Sequence, residues 1–164
     1  MIKTIYRYII PSFLRTVISN FRVRIYRKRK EKRETQELEN KVKSILTKDI
    51  IKLEIGAGNK KGINGWTTID LNPGADLKFD LLNKFPFPDN SILEIYSSHF
   101  LEHFYTHEII KILEECKRVL KPNGKFILTT PFGYNKSVDH KQYFYYSNLF
   151  LLLKEFFIPE EFIK

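Results

Sequence analysis

Cysteine is almost absent from this 164-residue chain: Cys116 stands alone, so no internal disulfide can form. A single thiol fits a reducing cytoplasm and excludes a zinc site built on several thiolates. It falls in an apolar helical pattern, which marks it as a core residue rather than a nucleophile. Histidines number four and show no ligand spacing such as H-E-x-x-H, so the sequence offers no metal motif. Long apolar runs are missing as well. In the N-terminal segment no charge-free stretch exceeds seven residues, too short to span a bilayer, and no small-residue cleavage site follows.

Acidic residues are scarce in one place only. The first 43 residues hold 13 Lys/Arg against 4 Asp/Glu, a net of +9, while the remaining residues hold 15 of each. The whole basic excess therefore sits in an N-terminal arm, residues 1–45, joined to a neutral domain, residues 48–164. Pro11 followed by Ser12 predicts a helix start, and Leu14, Ile18, Phe21 and Ile25 then recur at helical spacing between arginines. Residues 27–33 ("RKRKEKR") are nearly all cationic. Three readings follow for residues 12–33. The helix lies on an anionic membrane surface, which puts the protein on the inner face of the membrane. Alternatively it packs on the domain or on a second copy as a homodimer, or it grips nucleic-acid phosphates. The long apolar stripe ranks them in that order.

Glycine is sparse, with seven in all, and its one informative cluster is "LEIGAGNKKGINGWTTID". A buried strand leads into Gly56 and Gly58, and a second strand ends in Asp70. "DLKFD" is a short third strand, "ILEIYSS" a fourth and "KFILTTP" a fifth. "THEIIKILEECKRVL" is a helix closed by the "KPNG" turn, and a last helix is expected to start at the cap Ser147. This alternation argues for an α/β, Rossmann-like, mostly parallel sheet with flanking helices, shortened at its C-terminus and preceded by the basic helical arm. Ligands in such sheets sit beyond the carboxyl ends of the strands. A dinucleotide site wants G-x-G-x-x-G with an acid about 20 residues on. Here "GAGNKK" has lysine in place of the third glycine, and Asp70 comes 12 residues after Gly58, a poor match to NAD. The connection "LNPGA" is too short for a helical crossover, so strand three must be very short or the chain must return extended.

The ordered set "LEIGAGNKKGINGWTTIDLN", "LKFDLLNKFPFPDNSILEIYSSHFLEH" and "ECKRVLKPNGKFILTTP" resembles the class I S-adenosylmethionine-dependent methyltransferases over roughly residues 50–157. Its compact "G-x-G…GW…D" spacing further resembles a subgroup met among bacterial surface-polysaccharide genes. The resemblance implies S-adenosylmethionine as cofactor, with Glu54, Gly56 and Gly58 as the methionine-side loop. It implies Asp70 on the ribose beside Leu71, Asp80 on the adenine amine beside Leu81, and Ser98 and His99 on the sulfonium side. "SSHF" stands where base N-methyltransferases carry an "NPPY"-like run, which favours a hydroxyl of a glycan or other small acceptor. A general base then helps, and His140 is the first candidate, followed by His103 and His99. Tyr143, Tyr145 and Tyr146 are a substrate wall or packing for the last helix. A cofactor-binding but inactive interaction module and an RNA methyltransferase using the arm are the alternatives.

Overall fold

The structure is a computed structural model, which describes residues 11–134 and 137–158. Contacts divide the chain into two units, Met1–Asn40 and Lys41–Lys164. Helix α1, Ser12–Leu46, runs through the boundary. It starts where proline and serine predict, with the Arg15 N–H donating to the Pro11 carbonyl at 3.1 Å. None of the described side chains up to Asn40 is buried. Leu14 and Phe21 of the predicted stripe are exposed, Ile18 and Ile25 are half-buried, and Phe13, Val17 and Tyr26 join the exposed set.

The second unit begins with the last turns of α1, whose Val42 and Ile45 are buried. It contains β1 (Lys52–Ile55), β2 (Trp66–Asp70), β3 (Leu77–Lys78), β4 (Ile92–Ser98) and β5 (Leu120–Thr129) in the order β3-β2-β1-β4-β5. Every pairing between them is parallel. Helix α2 (Thr106–Val119) links β4 to β5, and α3 (Tyr146–Leu153) follows β5. The strand order reverses between β1 and β4, which sets the switch point there. β3 is two residues long, and its partner Leu77 lies only eight residues beyond Ile69. The short connection is thus satisfied by a minimal strand, as its length required.

Burial alternates along β1 and the second half of β4, whereas Thr67, Thr68 and Ile69 of β2 are all buried. Leu53, Ile55, Ile69 and Ile95 are fully buried, while Lys52, Glu54, Trp66, Glu94 and Tyr96 on the opposite face are half-buried. Parallel sheets are usually apolar on both faces; here cross-strand pairs occupy the second face instead. Lys52 pairs with Glu94 at 2.9 Å and lies over the Trp66 ring, which meets Tyr96 edge-on. The apolar face of α2 supplies Ile109, Ile112, Leu113, Cys116 and Val119 to the core. Burial pushes the Cys116 thiol pKa far up, so it is the inert core residue expected.

Two local expectations are corrected. "KPNG" does not separate helix from strand; it is looped out within β5, where Leu120 pairs with Ile92 and the next partners are Glu94 and Lys125. Asn123 makes this possible by adopting φ 64°. Helix α3 begins at Tyr146 rather than at Ser147, because Asn148 Oδ1 accepts the Tyr145 N–H at 2.7 Å and closes the first turn one residue earlier. The "FPFPDN" segment before β4 is fastened to α2 by one guanidinium. Arg118 donates to the Phe85 and Phe87 carbonyls, to Asp89 and to Glu115, and Glu115 accepts the Phe85 N–H. β5 pairs only with β4 in the sheet, and no side chain of α3 is buried, so Ile127 and Leu151 remain exposed.

Candidate active site

The parallel register puts the residues after β1, β2 and β4 on one edge, since Ile55 pairs with both Ile69 and Ser97. Gly56 and Gly58 adopt φ 69° and 64°, a region that favours glycine, and the loop is held by the Gly56 N–H donating to the Ile69 carbonyl at 2.9 Å. A Cβ on Gly58 would meet no heavy atom within 4 Å, so the space above it is free. A Cβ on Gly56 would collide with the Phe100 ring. Asp70 reaches across from β2: its Oδ2 accepts the Gly58 N–H at 2.8 Å, and its Oδ1 accepts the Asn72 backbone and side-chain amides. Glu54 lies in β1 with Lys60 at 3.9 Å, and Leu71 is exposed beside Asp70.

Asp80 is less clearly aimed at this edge. Its Oδ1 accepts the Leu82 N–H at 3.0 Å in a local turn, while Leu81 is buried. Asp76 does the knitting in this region. It accepts the N–H groups of Gly62 and Thr68 and the Thr68 hydroxyl. Burial raises its pKa, but these bonds and Lys61 outweigh it and hold the carboxyl below its ordinary value. Sequence reasoning did not single out Asp76, because a lone aspartate after "PGA" carries no motif.

The histidines come together around Glu102, a residue to which the sequence assigns no role. Glu102 is 1% exposed and lies in a single 3₁₀ turn, Leu101–His103. His99 Nδ1 is 3.5 Å from its Oε1. The His103 and His140 rings meet edge-on with centroids 5.1 Å apart. His140 is carried back by its neighbours: the N–H groups of Lys141 and Gln142 donate to the Glu102 carbonyl at 2.7 and 3.1 Å. His99 has φ 51°, and Asn64, Asn90 and Asn123 are the other non-glycine residues with positive φ among the described residues. Phe132 and Tyr145 meet edge-on, as do Phe100 and Phe104. Phe132, Tyr134, Tyr145 and Tyr146 are exposed. Ser98 ends β4 one residue before His99. The signal for Glu102 was present as one charge inside "HFLEHFY", an otherwise aromatic and apolar run.

A family model described as "Methyltransferase domain" matches residues 33–128, more than half of the chain. The chain belongs to this family of S-adenosylmethionine-dependent methyltransferases. Solved structures share the fold. One is a SAM-dependent methyltransferase from Archaeoglobus fulgidus, with TM-score 0.56, 17% identity, and 74% of this chain and 67% of that chain covered. Another is the complex between the Haloferax volcanii Trm112 methyltransferase activator and a methyltransferase, with TM-score 0.51, 18% identity and coverages of 78% and 71%. The YcgJ protein of Bacillus subtilis matches at TM-score 0.51 and 16% identity, covering 71% of this chain and 67% of its own. A search of curated proteins found no match.

Proposed function

We propose that the protein transfers the methyl group of S-adenosylmethionine to a hydroxyl of a sugar, glycan or other small acceptor. One observation carries the choice of a hydroxyl: His99, His103 and His140 gather on Glu102 at the sheet edge that also bears the glycine loop. The cofactor supplies an electrophilic methyl on a sulfonium, so the protein's task is to bind, align and take up a proton. Gly56 and Gly58 form the methionine-side loop with Glu54, and the open space at Gly58 suits a ligand that approaches the backbone. Asp70 with Leu71 takes the ribose. A carboxylate offers about four lone-pair sites, and three are filled here, so holding both ribose hydroxyls requires release of an exposed Asn72 amide. Asp80 with Leu81 takes the adenine, using the oxygen its local turn leaves over. Ser98 and His99 face the sulfonium side. Imidazole changes charge near neutral pH and suits the acceptor's proton, with His140 first and His103 and His99 next.

The exposed rings of Phe132, Tyr134 and Tyr145 give an acceptor an apolar shelf next to these histidines. The compact spacing between the glycine loop and Asp70 supports a polysaccharide-linked acceptor. The arm, residues 12–33, serves as an anionic-membrane contact, with Phe13, Val17 and Phe21 exposed among arginines. The test is incubation with S-adenosylmethionine bearing a labelled methyl and a panel of hydroxylated acceptors, read by mass spectrometry. Labelled methyl on an acceptor oxygen supports the reading. Transfer to RNA alone would replace it.

A further inference from the structure

Among the described residues, the buried side-chain atoms without a hydrogen-bond partner are Ser97 Oγ and both carboxylate oxygens of Glu102. A carboxylate removed from water needs donors or a cation beside it, because its burial is otherwise costly. Glu102 lacks the donors, yet it is ringed by nitrogen ligands. One ligand atom each from Glu102, His103 and His140 lie within 4.8 Å of one another. Bonds of about 2.0–2.2 Å to a tetrahedral cation place ligand atoms about 3.3–3.6 Å apart, so small side-chain rotations close the set. We propose that Glu102, His103 and His140 hold a divalent transition-metal cation of the zinc type.

The donor set decides the cation class. Two imidazoles with one carboxylate suit zinc and its neighbours, whereas magnesium and calcium prefer oxygen throughout. The scaffold is built for fixed geometry. The Lys141 and Gln142 N–H groups bind the Glu102 carbonyl, and Gln142 Nε2 donates to Thr106 Oγ1 at 2.8 Å, which ties the His140 segment to the 3₁₀ turn. His103 Nδ1 lies 3.4 Å from the Asp139 carbonyl. A proton on that nitrogen leaves Nε2 for the cation, the usual second contact of a metal-binding histidine. His99 Nδ1, 3.5 Å from the same carboxylate, stands beside the set as a third nitrogen. Three protein ligands leave a coordination position open, as in catalytic zinc sites. With the cation bound, His103 and His140 are occupied, so His99 would take the proton of an acceptor hydroxyl polarised there, a role that rests on the methyl-transfer reading, although cation binding does not.

The test uses the full chain stripped of metal, titrated calorimetrically with Zn²⁺ without cofactor, and with Co²⁺ followed by its visible spectrum. The expected result is one equivalent bound, weakened at least tenfold in both His103→Ala and His140→Ala. Zinc should also raise the melting temperature of the parent. Glu102→Gln should melt higher than the metal-free parent, having lost a buried carboxylate without a hydrogen bond, and should gain nothing from zinc. No saturable binding, or binding equal to the parent in both histidine variants, would overturn the site. If Glu102→Gln fails to fold, the two histidine variants decide, since His103 is exposed and His140 half-buried. Zinc binding without any methyl transfer would count against the reaction and leave the site standing.

Discussion

Asp70 links the two halves of the glycine edge, because one carboxylate ends β2 and caps the loop after β1. Its replacement therefore acts twice. Asp70→Ala removes the ribose acceptor and frees the Gly58 N–H. A hydrogen bond to a charged group contributes about 1.5–3 kcal/mol, so cofactor affinity should fall by at least tenfold in calorimetry. Asn72→Ala should leave affinity near the parent value, since its amide only fills an acceptor position that the ribose would take. In the proposed reaction, His140 is the corresponding residue on the acceptor side. His140→Ala should lower turnover about a hundredfold, a typical contribution of a group that handles the proton, while S-adenosylmethionine affinity is unchanged. Unaltered turnover with a true acceptor would remove it from the reaction.

Among the elements, α2 and the segment before β4 depend on a few polar contacts at their junction. The Arg118 and Glu115 side chains are each 20% exposed, and together they satisfy three backbone groups of that segment. Arg118→Ala leaves Glu115 unpaired and should cost about 3 kcal/mol, as for a broken buried pair. The bonds from Arg118 hold the Glu115 carboxyl below its ordinary value of 4.5, with burial opposing and the Phe85 N–H adding to the effect. A depressed acid pKa means that the unfolded chain binds more protons in this range. This stability is fully present above the ordinary value and is lost as pH falls through the lowered one. Melting temperatures measured downward from neutral pH should fall for the parent in the acid range. Glu115→Gln should start lower and fall less.

Much at this scale was legible in the sequence. β2 and β4 have the bounds that hydrophobic pattern and flanking turns predict, and the short connection "LNPGA" left either a very short β3 or an extended return, of which the structure shows the first. The pattern could not place "KPNG" inside a strand, because only partner register shows that β5 resumes its pairing from Leu120. That Gly58 and Asp70 lie at the ends of the first two strands was readable from the alternation of strands and turns, but the hydrogen bond between them was not. The Glu102 cluster was not, because 37 residues separate His103 from His140 and only the fold-back at Lys141 and Gln142 joins them.

At the scale of the whole molecule, the charge asymmetry matches the division into units. Within the segment that carries the basic excess, the described residues from Ser12 to Asn40 are helical and bury no side chain, and the sheet unit starts at Lys41. Removing residues 1–40 should leave a chain that folds and binds cofactor but no longer co-sediments with anionic vesicles. A start near Lys48 cuts deeper, because Val42 and Ile45 are only 6% exposed. Each buried aliphatic side chain contributes about 1.5–3 kcal/mol, so the shorter chain should melt well below the longer one. Absence of vesicle binding by the full chain at every salt concentration would contradict the membrane role. The central claim is that the edge formed by Gly56, Gly58 and Asp70 seats S-adenosylmethionine, and titration calorimetry with the cofactor and its demethylated product tests it most directly. The parent should bind one equivalent of each, with binding lost in Gly58→Val and weakened in Asp70→Ala. No binding by the parent, or equal binding by both variants, would contradict the account.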